Sequence, residues 1–267
     1  MRAAIVSEYR KYFSTRIWWI LALCMFVFFL LISFALAWLF AYQVNHHGMT
    51  DELLAIVRPT VYGLAASMGY IVPVIVGALA VTAEYRHNTV LPTFVSEPRR
   101  WVVMVAKAIA GVPMGVVIGV IATASCLLGG YLGFQSGGID SLMTSGMTWR
   151  NALLSVLACT LWALVGVGLG MLVTSQVGVI IAVLAFTQLI EPIVSMGLNA
   201  FSFGPAVGKF LPSSASGSLA GGTNIYALMN GLEANGLSIG QGAVVMAGYG
   251  VVFALLGYYL RIRRNVA

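Results

Sequence analysis

Residues 151–190 run for forty positions without one Lys, Arg, Asp or Glu. As a single helix that segment would measure about 60 Å, twice the roughly 30 Å core of a bilayer. It must fold back once, and Thr174-Ser175-Gln176 followed by Gly178 is the turn signal inside it. Residues 17–50, 59–83, 108–139 and 234–260 are charge-free in the same way. A spanning helix needs about 20 apolar residues. The windows therefore predict an all-α membrane protein with six helices, at about 17–42, 59–82, 102–133, 151–173, 178–198 and 239–260. They form one membrane domain over residues 1–267. Composition agrees, with 60% apolar and 8% charged residues, against roughly 25% charged in soluble domains. That excludes both an ordinary soluble protein and a disordered chain.

The net charge of +6 invites a nucleic-acid reading, but its distribution argues for a membrane rule. One side of the six-helix arrangement carries Arg2, Arg10, Lys11, Arg16, Arg86, Arg99, Arg100, Lys107, Arg261, Arg263 and Arg264. The other carries Arg58, Arg150 and Lys209. Cytoplasmic loops hold the excess of Lys and Arg, so both termini are expected in the cytoplasm, with no nucleic-acid partner. The first apolar stretch is too long for a signal peptide and lacks its cleavage site, so it is expected to stay as a membrane helix. Cys24, Cys126 and Cys159 lie in apolar runs without metal-type spacing and read as buried hydrophobes.

Residues 1–16 place Ile5, Tyr9, Tyr12 and Phe13 on one helical stripe, and Ser7, Arg10, Lys11 and Ser14 elsewhere. That pattern predicts an amphipathic helix lying in the cytoplasmic interface. In the first span, Trp18, Trp19 and Tyr42 fit the interfacial belts at its ends. Its internal rings, Phe26 and Phe29 among them, are packing bulk or an aromatic wall of a translocation pathway. Residues 199–238 are too rich in Gly, Ser and Pro to span, yet keep apolar Phe201, Phe203, Phe210 and Leu211. An outer re-entrant segment between the fifth and sixth helices is expected there. No internal repeat is present.

Residues 83–101 form the largest expected cytoplasmic loop and mix both charges with aromatic residues and two prolines. Residues 89–96 suit a short helix across the membrane face, with aromatics as anchors and Arg as rim for a soluble partner. The plainer reading is a connector whose arginines satisfy the charge rule. Glu191 lies about 20 Å into the fifth span if that begins near Gly178. A buried carboxylate costs roughly 2.5–3.5 kcal/mol on insertion scales and needs a partner. It reads as a pathway or gating group sharing a face with Gln188, or as a cap at a helix end. Three motifs are decoys. The stretch from Gly204 to Phe210 has one residue too few between its glycines for a phosphate loop, and Phe where Ser or Thr is required. His46-His47 with Asp51 and Glu52 suits a solvated outer loop better than a metal site. Gly166 and Gly170 make a GxxxG, a signal for close helix packing. No catalytic motif is present, so no enzyme site is expected within the chain.

The order of these segments resembles the membrane subunit of type-2 ATP-binding cassette transporters, in its half-size six-helix form. Ser7-Glu8-Tyr9-Arg10-Lys11 ahead of Ser14-Thr15-Arg16-Ile17-Trp18-Trp19 is similar to that family's amphipathic leading helix. Glu84-Tyr85-Arg86-His87-Asn88-Thr89, then Pro98-Arg99-Arg100 and Lys107, resembles its first cytoplasmic loop. The turn after Gly168-Leu169-Gly170-Met171-Leu172, at Ser175-Gln176, looks like its tight cytoplasmic turn, although Thr174 stands where relatives often carry a basic residue. Glu191-Pro192 and Leu211-Pro212 resemble its outer-leaflet motifs.

The resemblance implies a permease in the cell (inner or plasma) membrane, exporting a hydrophobic or amphiphilic drug, peptide or lipid. A second copy or a sister permease would pair with it, largely through the first and fifth helices. Two ATPase subunits would bind ATP and magnesium, since the chain has no phosphate loop of its own. Glu84, Tyr85, Arg86, Thr89, Pro98, Arg99 and Arg100 would couple ATP hydrolysis to transport. Gln188, Glu191, Phe26 and Phe29 would line the pathway or its gate. The rival readings are an ion-coupled transporter or channel using Glu191, and a non-transporting scaffold or immunity protein.

Overall fold

The computed structural model describes residues 1–14, 17–47, 51–199, 201, 204–219 and 237–262, and every regular element among them is helical. A leading helix α1 (Arg2–Ser14) precedes the long apolar α2 (Ile17–His47). Three pieces follow, α3 (Asp51–Tyr62), α4 (Leu64–Ser67) and α5 (Ile71–Arg86). The short α6 (Val90–Ser96) leads into α7 (Arg100–Ser136), and α8 (Gly146–Leu172) returns. Next, α9 (Gln176–Ala185) passes through a π-helical turn (Phe186–Ile190) into α10 (Glu191–Asn199). Two short helices, α11 (Gly204–Gly208) and α12 (Pro212–Leu219), come before α13 (Ile239–Gly257), which ends in a second π-helical turn (Tyr258–Ile262).

Five helices are long and apolar enough to cross a bilayer: Ile17–His46, Arg100–Ser136, Gly146–Leu172, Gln176–Leu198 and Ile239–Leu260. They coincide with five of the six expected spans. The turn between α8 and α9 falls at the expected polar cluster. There the Ser175 hydroxyl accepts the Gly178 amide at 3.2 Å and caps α9. The expected span at 59–82 is not one helix. It breaks at Gly63 and again at residues 68–70. Pro73 explains the second break. It has no N–H to return to Gly69, and its ring would collide with the Gly69 carbonyl in a continuous helix. A charge-free window shows that a segment is apolar enough to enter a bilayer, not that its backbone stays regular.

α8 is the central post. Its most apolar window is 67% buried, against 28% in α2, 22% in α9–α10 and 17% in α13. It packs against α7, α5 and α13. Small residues let the backbones meet, as van der Waals packing requires in a medium as apolar as the side chains. A Cβ at Gly166 would run into the Val74 backbone, and one at Gly170 into Ala78. The GxxxG is therefore the α5–α8 contact. On α7, Gly129 and Gly133 do the same against Leu30 and Phe34 of α2. Of the stretch expected to re-enter the membrane, residues 220–236 lie outside the described residues. Its α12 packs on α13, α8 and α4 and buries Ala215 to Leu219.

Candidate functional site

Two polar constellations sit at opposite ends of the apolar helices, and a short exposed helix stands beside the first. α5 ends at Arg86, and Asn88 takes a left-handed φ of 55° that turns the chain. Asn tolerates that region better than most residues. The Thr89 amide then donates to the Glu84 carbonyl at 2.9 Å, and α6 begins. α6 is fixed from below. Phe94 packs with Tyr85 against a cluster of Val81, Met104, Val167 and Met171, and the Arg100 guanidinium sits 5.8 Å above the Phe94 ring. Its other face points outward: Leu91 is 62% exposed and Val95, one turn on, 81%. Arg86, Thr89, Pro98 and Arg99 are exposed around them, together with Trp101. The arrangement is an apolar knob with a cationic rim on a packed base.

Glu84 does not belong to that rim. It is buried, as are Glu8 and Lys107, and the three meet Lys11 in one cluster. Lys107 Nζ donates to Glu8 Oε2 at 2.8 Å and to the Ala80 carbonyl at 2.9 Å, and pairs with Glu84 Oε1 at 2.8 Å. Lys11 Nζ donates to Glu8 Oε1 and Glu84 Oε1, both at 2.6 Å. Two acids and two bases make the cluster neutral. Neutrality and multiple hydrogen bonds are what make burial of three charges beside the half-exposed Lys11 tolerable. The cluster fastens α1 to the last turns of α5 and the base of α7. Burial of the Lys11 stem works to lower its pKa, but hydrogen bonds and charge from Glu8 and Glu84 outweigh that and hold it above the ordinary value. Next to it, burial, with help from the Glu8 charge, pushes the Tyr12 hydroxyl well above its ordinary range. The inward face of α1 is thus Glu8 and Tyr12, flanked by Ile5 and Tyr9, while Phe13 of the expected stripe is exposed.

At the opposite end, Glu191 is 3% exposed. Its carboxylate accepts the Ser213 amide and the Ser213 hydroxyl, each at 2.7 Å, and a bond from the Ser214 amide. Pro212 opens α12 without an N–H, so Ser213 and Ser214 hold its first free amides. Glu191 caps that helix from across the fold, and its charge is met by the helix dipole. No cation bridges it among the described residues. Of the two sequence readings, the geometry is that of a cap, and the helix that Glu191 caps begins at Pro212, 21 residues further on.

One turn before Glu191, the π-helical turn aims Thr187 and Gln188 at Tyr70, which sits at the second break of the broken span. Gln188 Nε2 donates to the Tyr70 hydroxyl at 2.6 Å, and that hydroxyl lies 2.7 Å from Thr187 Oγ1. Thr187 gives its own proton to the Val183 carbonyl at 2.8 Å, so Tyr70 donates to Thr187. The Tyr70 ring stacks on Trp162 at 4.7 Å, and Trp162 Nε1 donates to Ser216 Oγ at 2.9 Å. Irregular backbone from two elements and the α12 cap therefore meet in one network. The structure brings Gln188 and Glu191 to it but not the two phenylalanines. Phe29 is buried in the α2–α7 packing and Phe26 is half-buried.

Glu8, Lys11, Lys107, Leu91, Val95, Tyr70, Thr187 and Ser213 are among the residues that sequence reasoning does not assign. Glu8 and Lys11 carried the only available signal, an opposite pair one turn apart on a helix. Among the described residues no group of three His, Cys, Asp or Glu can hold a metal. The side chains of His47, Asp51 and Glu52 lie outside the described residues. Gly204–Gly208 is helical and not a phosphate loop. No protein-family model matches the chain, and no curated protein matches its sequence.

Proposed function

We propose that the chain is the permease subunit of an ATP-binding cassette exporter, moving a hydrophobic or amphiphilic substrate outward under the drive of a separate ATPase subunit. The observation that carries the reading is α6. Leu91 and Val95 project from a helix whose opposite face is locked by Phe94, Tyr85 and Arg100. Exposed aliphatic anchors within a cationic rim suit a groove on a soluble partner. Such a knob can also transmit force, because α5 and α7 enter and leave it directly. In this reading the broken stretch α3–α5 completes a sixth crossing, and α1, α6 and both termini face the cytoplasm. α12 belongs to an outer re-entrant segment, and the network of Tyr70, Gln188 and Glu191 closes the outer end of the pathway. The uncovered apolar faces of α2 and α9–α10, with Phe28, Leu31, Leu189 and Ile193, suit a second permease copy or a sister permease. The membrane is the cell membrane. ATP and magnesium belong to the ATPase subunits.

The test is purification of the tagged chain from its native membrane in mild detergent. A stoichiometric soluble ATPase should accompany it and be lost with Leu91→Asp or Val95→Asp. These substitutions sit on exposed positions and leave the fold intact. Recovery of the chain without any ATPase across several mild extractions would sink the reading. The buried carboxylate of Glu191, met by no cation among the described residues, favours a second reading, an ion-coupled pathway. That reading predicts flux in liposomes holding this chain alone.

A further inference from the structure

The two faces of α1 have opposite electrostatics. Its only acid, Glu8, is turned inward and consumed by Lys11 and Lys107. Outward it presents Arg2, Val6, Arg10 and Phe13, which share one stripe at i, i+4, i+8 and i+11. Val6 is 46% exposed and Phe13 51%. Ser7 and Ser14 border the same surface, with the half-exposed Lys11 between them. No carboxylate bridges Arg2 or Arg10 among the described residues, so this face is purely cationic. Its depth is set by a ladder of rings. Tyr9 stacks on Phe13 at 6.4 Å, and Phe13 meets Trp18 edge-on at 5.5 Å. Trp18 stands in the first turn of the first membrane-capable helix. The apolar edge of α1 therefore reaches the level at which acyl chains begin, and its arginines sit at the level of the lipid headgroups.

The geometry points to a binding surface for the headgroups of anionic phospholipid, formed by Arg2, Arg10 and Ser7, with Val6 and Phe13 seated among the first acyl carbons. The occupant is a lipid and not a soluble anion, because Val6 lies between the two arginines and Phe13, one turn past Arg10, meets Trp18 of a membrane-capable helix. A phosphate in solution would satisfy the cations and leave Val6 and Phe13 in water. This surface needs no ATPase partner. It rests only on α2 being a membrane helix, so its failure and that of the exporter reading are separable.

The experiment is amide hydrogen exchange of α1 in the full chain, reconstituted in nanodiscs of phosphatidylcholine alone or of an equimolar mixture with phosphatidylglycerol. Each cation near an anionic surface strengthens attachment about fivefold. Exchange over residues 2–14 should therefore slow by about that factor per arginine in the anionic discs. The excess protection should fall by half on a logarithmic scale in Arg10→Gln and vanish in the Arg2→Gln/Arg10→Gln double variant. It should also shrink at high salt in the unmodified chain, which gives the same answer without a mutation. Equal exchange in the two lipids, or protection that survives loss of both arginines, overturns the proposal. The cationic face would then be left for an acidic soluble partner.

Discussion

The Glu191 carboxylate holds Ser213 twice, through its amide and its hydroxyl, with both contacts at 2.7 Å across 22 residues of sequence. This bond pins α12 to the π-helical turn that carries Thr187 and Gln188. Glu191→Ala strands the first amides of α12 in a dry site and should cost on the order of 3 kcal/mol, the worth of two charge-assisted bonds. Glu191→Gln keeps an acceptor and should lose about half of that. Thermal unfolding in detergent gives the ranking, and equal melting of the alanine variant and the parent would refute the cap.

The four-charge cluster makes a different kind of prediction. Removing one member leaves an unpaired charge in a buried place, which costs about 3–5 kcal/mol. Lys107→Met should therefore free α1, seen as rapid proteolysis within residues 2–14. Glu84→Lys should do the same, because it places a third cation against Lys11 and Lys107. Pairing it with Lys107→Glu restores neutrality and should slow the proteolysis again. If the swap rescues nothing, the bonds are not what holds the helix.

Glycine contacts predict effects of opposite sign. Gly166→Ala forces a methyl into the Val74 backbone and should destabilise by about 1–3 kcal/mol, since backbone cannot step aside as a side chain can. Gly248 lies inside α13 with open space where a Cβ would go. Gly248→Ala should stabilise by roughly 0.5–1 kcal/mol through helix propensity. Urea or heat titration of the two variants settles both signs.

The attachment of α1 should fail in alkali. Lys11 has a folded pKa raised above its ordinary 10.5, with burial opposing and Glu8 and Glu84 prevailing. A base with a raised folded value contributes stability in full below the unfolded value and loses it as pH climbs through the folded one. The buried Tyr12 hydroxyl, also raised, acts in the same direction. Glu8 faces both groups, Glu84 faces Lys11, and Lys107 holds the two acids from the far side. Protection of the α1 amides, taken relative to their intrinsic exchange rates, should stay flat from neutral pH upward and fall only beyond about 10. Release already near neutral pH would contradict the assignment.

The five membrane-capable helices are legible because a long run without charge has few alternatives. The break in the expected span at 59–82 is present in the sequence as Gly63, Gly69 and Pro73, but the apolar window masks it. Glu191 stood out because a lone acid in an apolar run is costly. Ser213 did not, since serines in a Gly-rich stretch look like any turn. The charge cluster was the least visible feature. Glu8, Glu84 and Lys107 each resemble ordinary interfacial charges until the fold brings three distant segments together. In sequence, Glu84 is indistinguishable from the loop residues that follow it.

Glu8 and Lys107 lie 99 residues apart, and this separation imposes an order on biosynthesis. When the leading helix leaves the ribosome, Glu8 has only Lys11 within reach. Its deep partner does not exist until the base of α7 has been made. α1 must wait, loosely held, while α2 and the broken stretch from α3 to α5 are made. It can close only once three separate segments have arrived. The clasp is thus a record that synthesis has reached the base of α7, and a chain halted before residue 107 carries a first helix without its deepest partner.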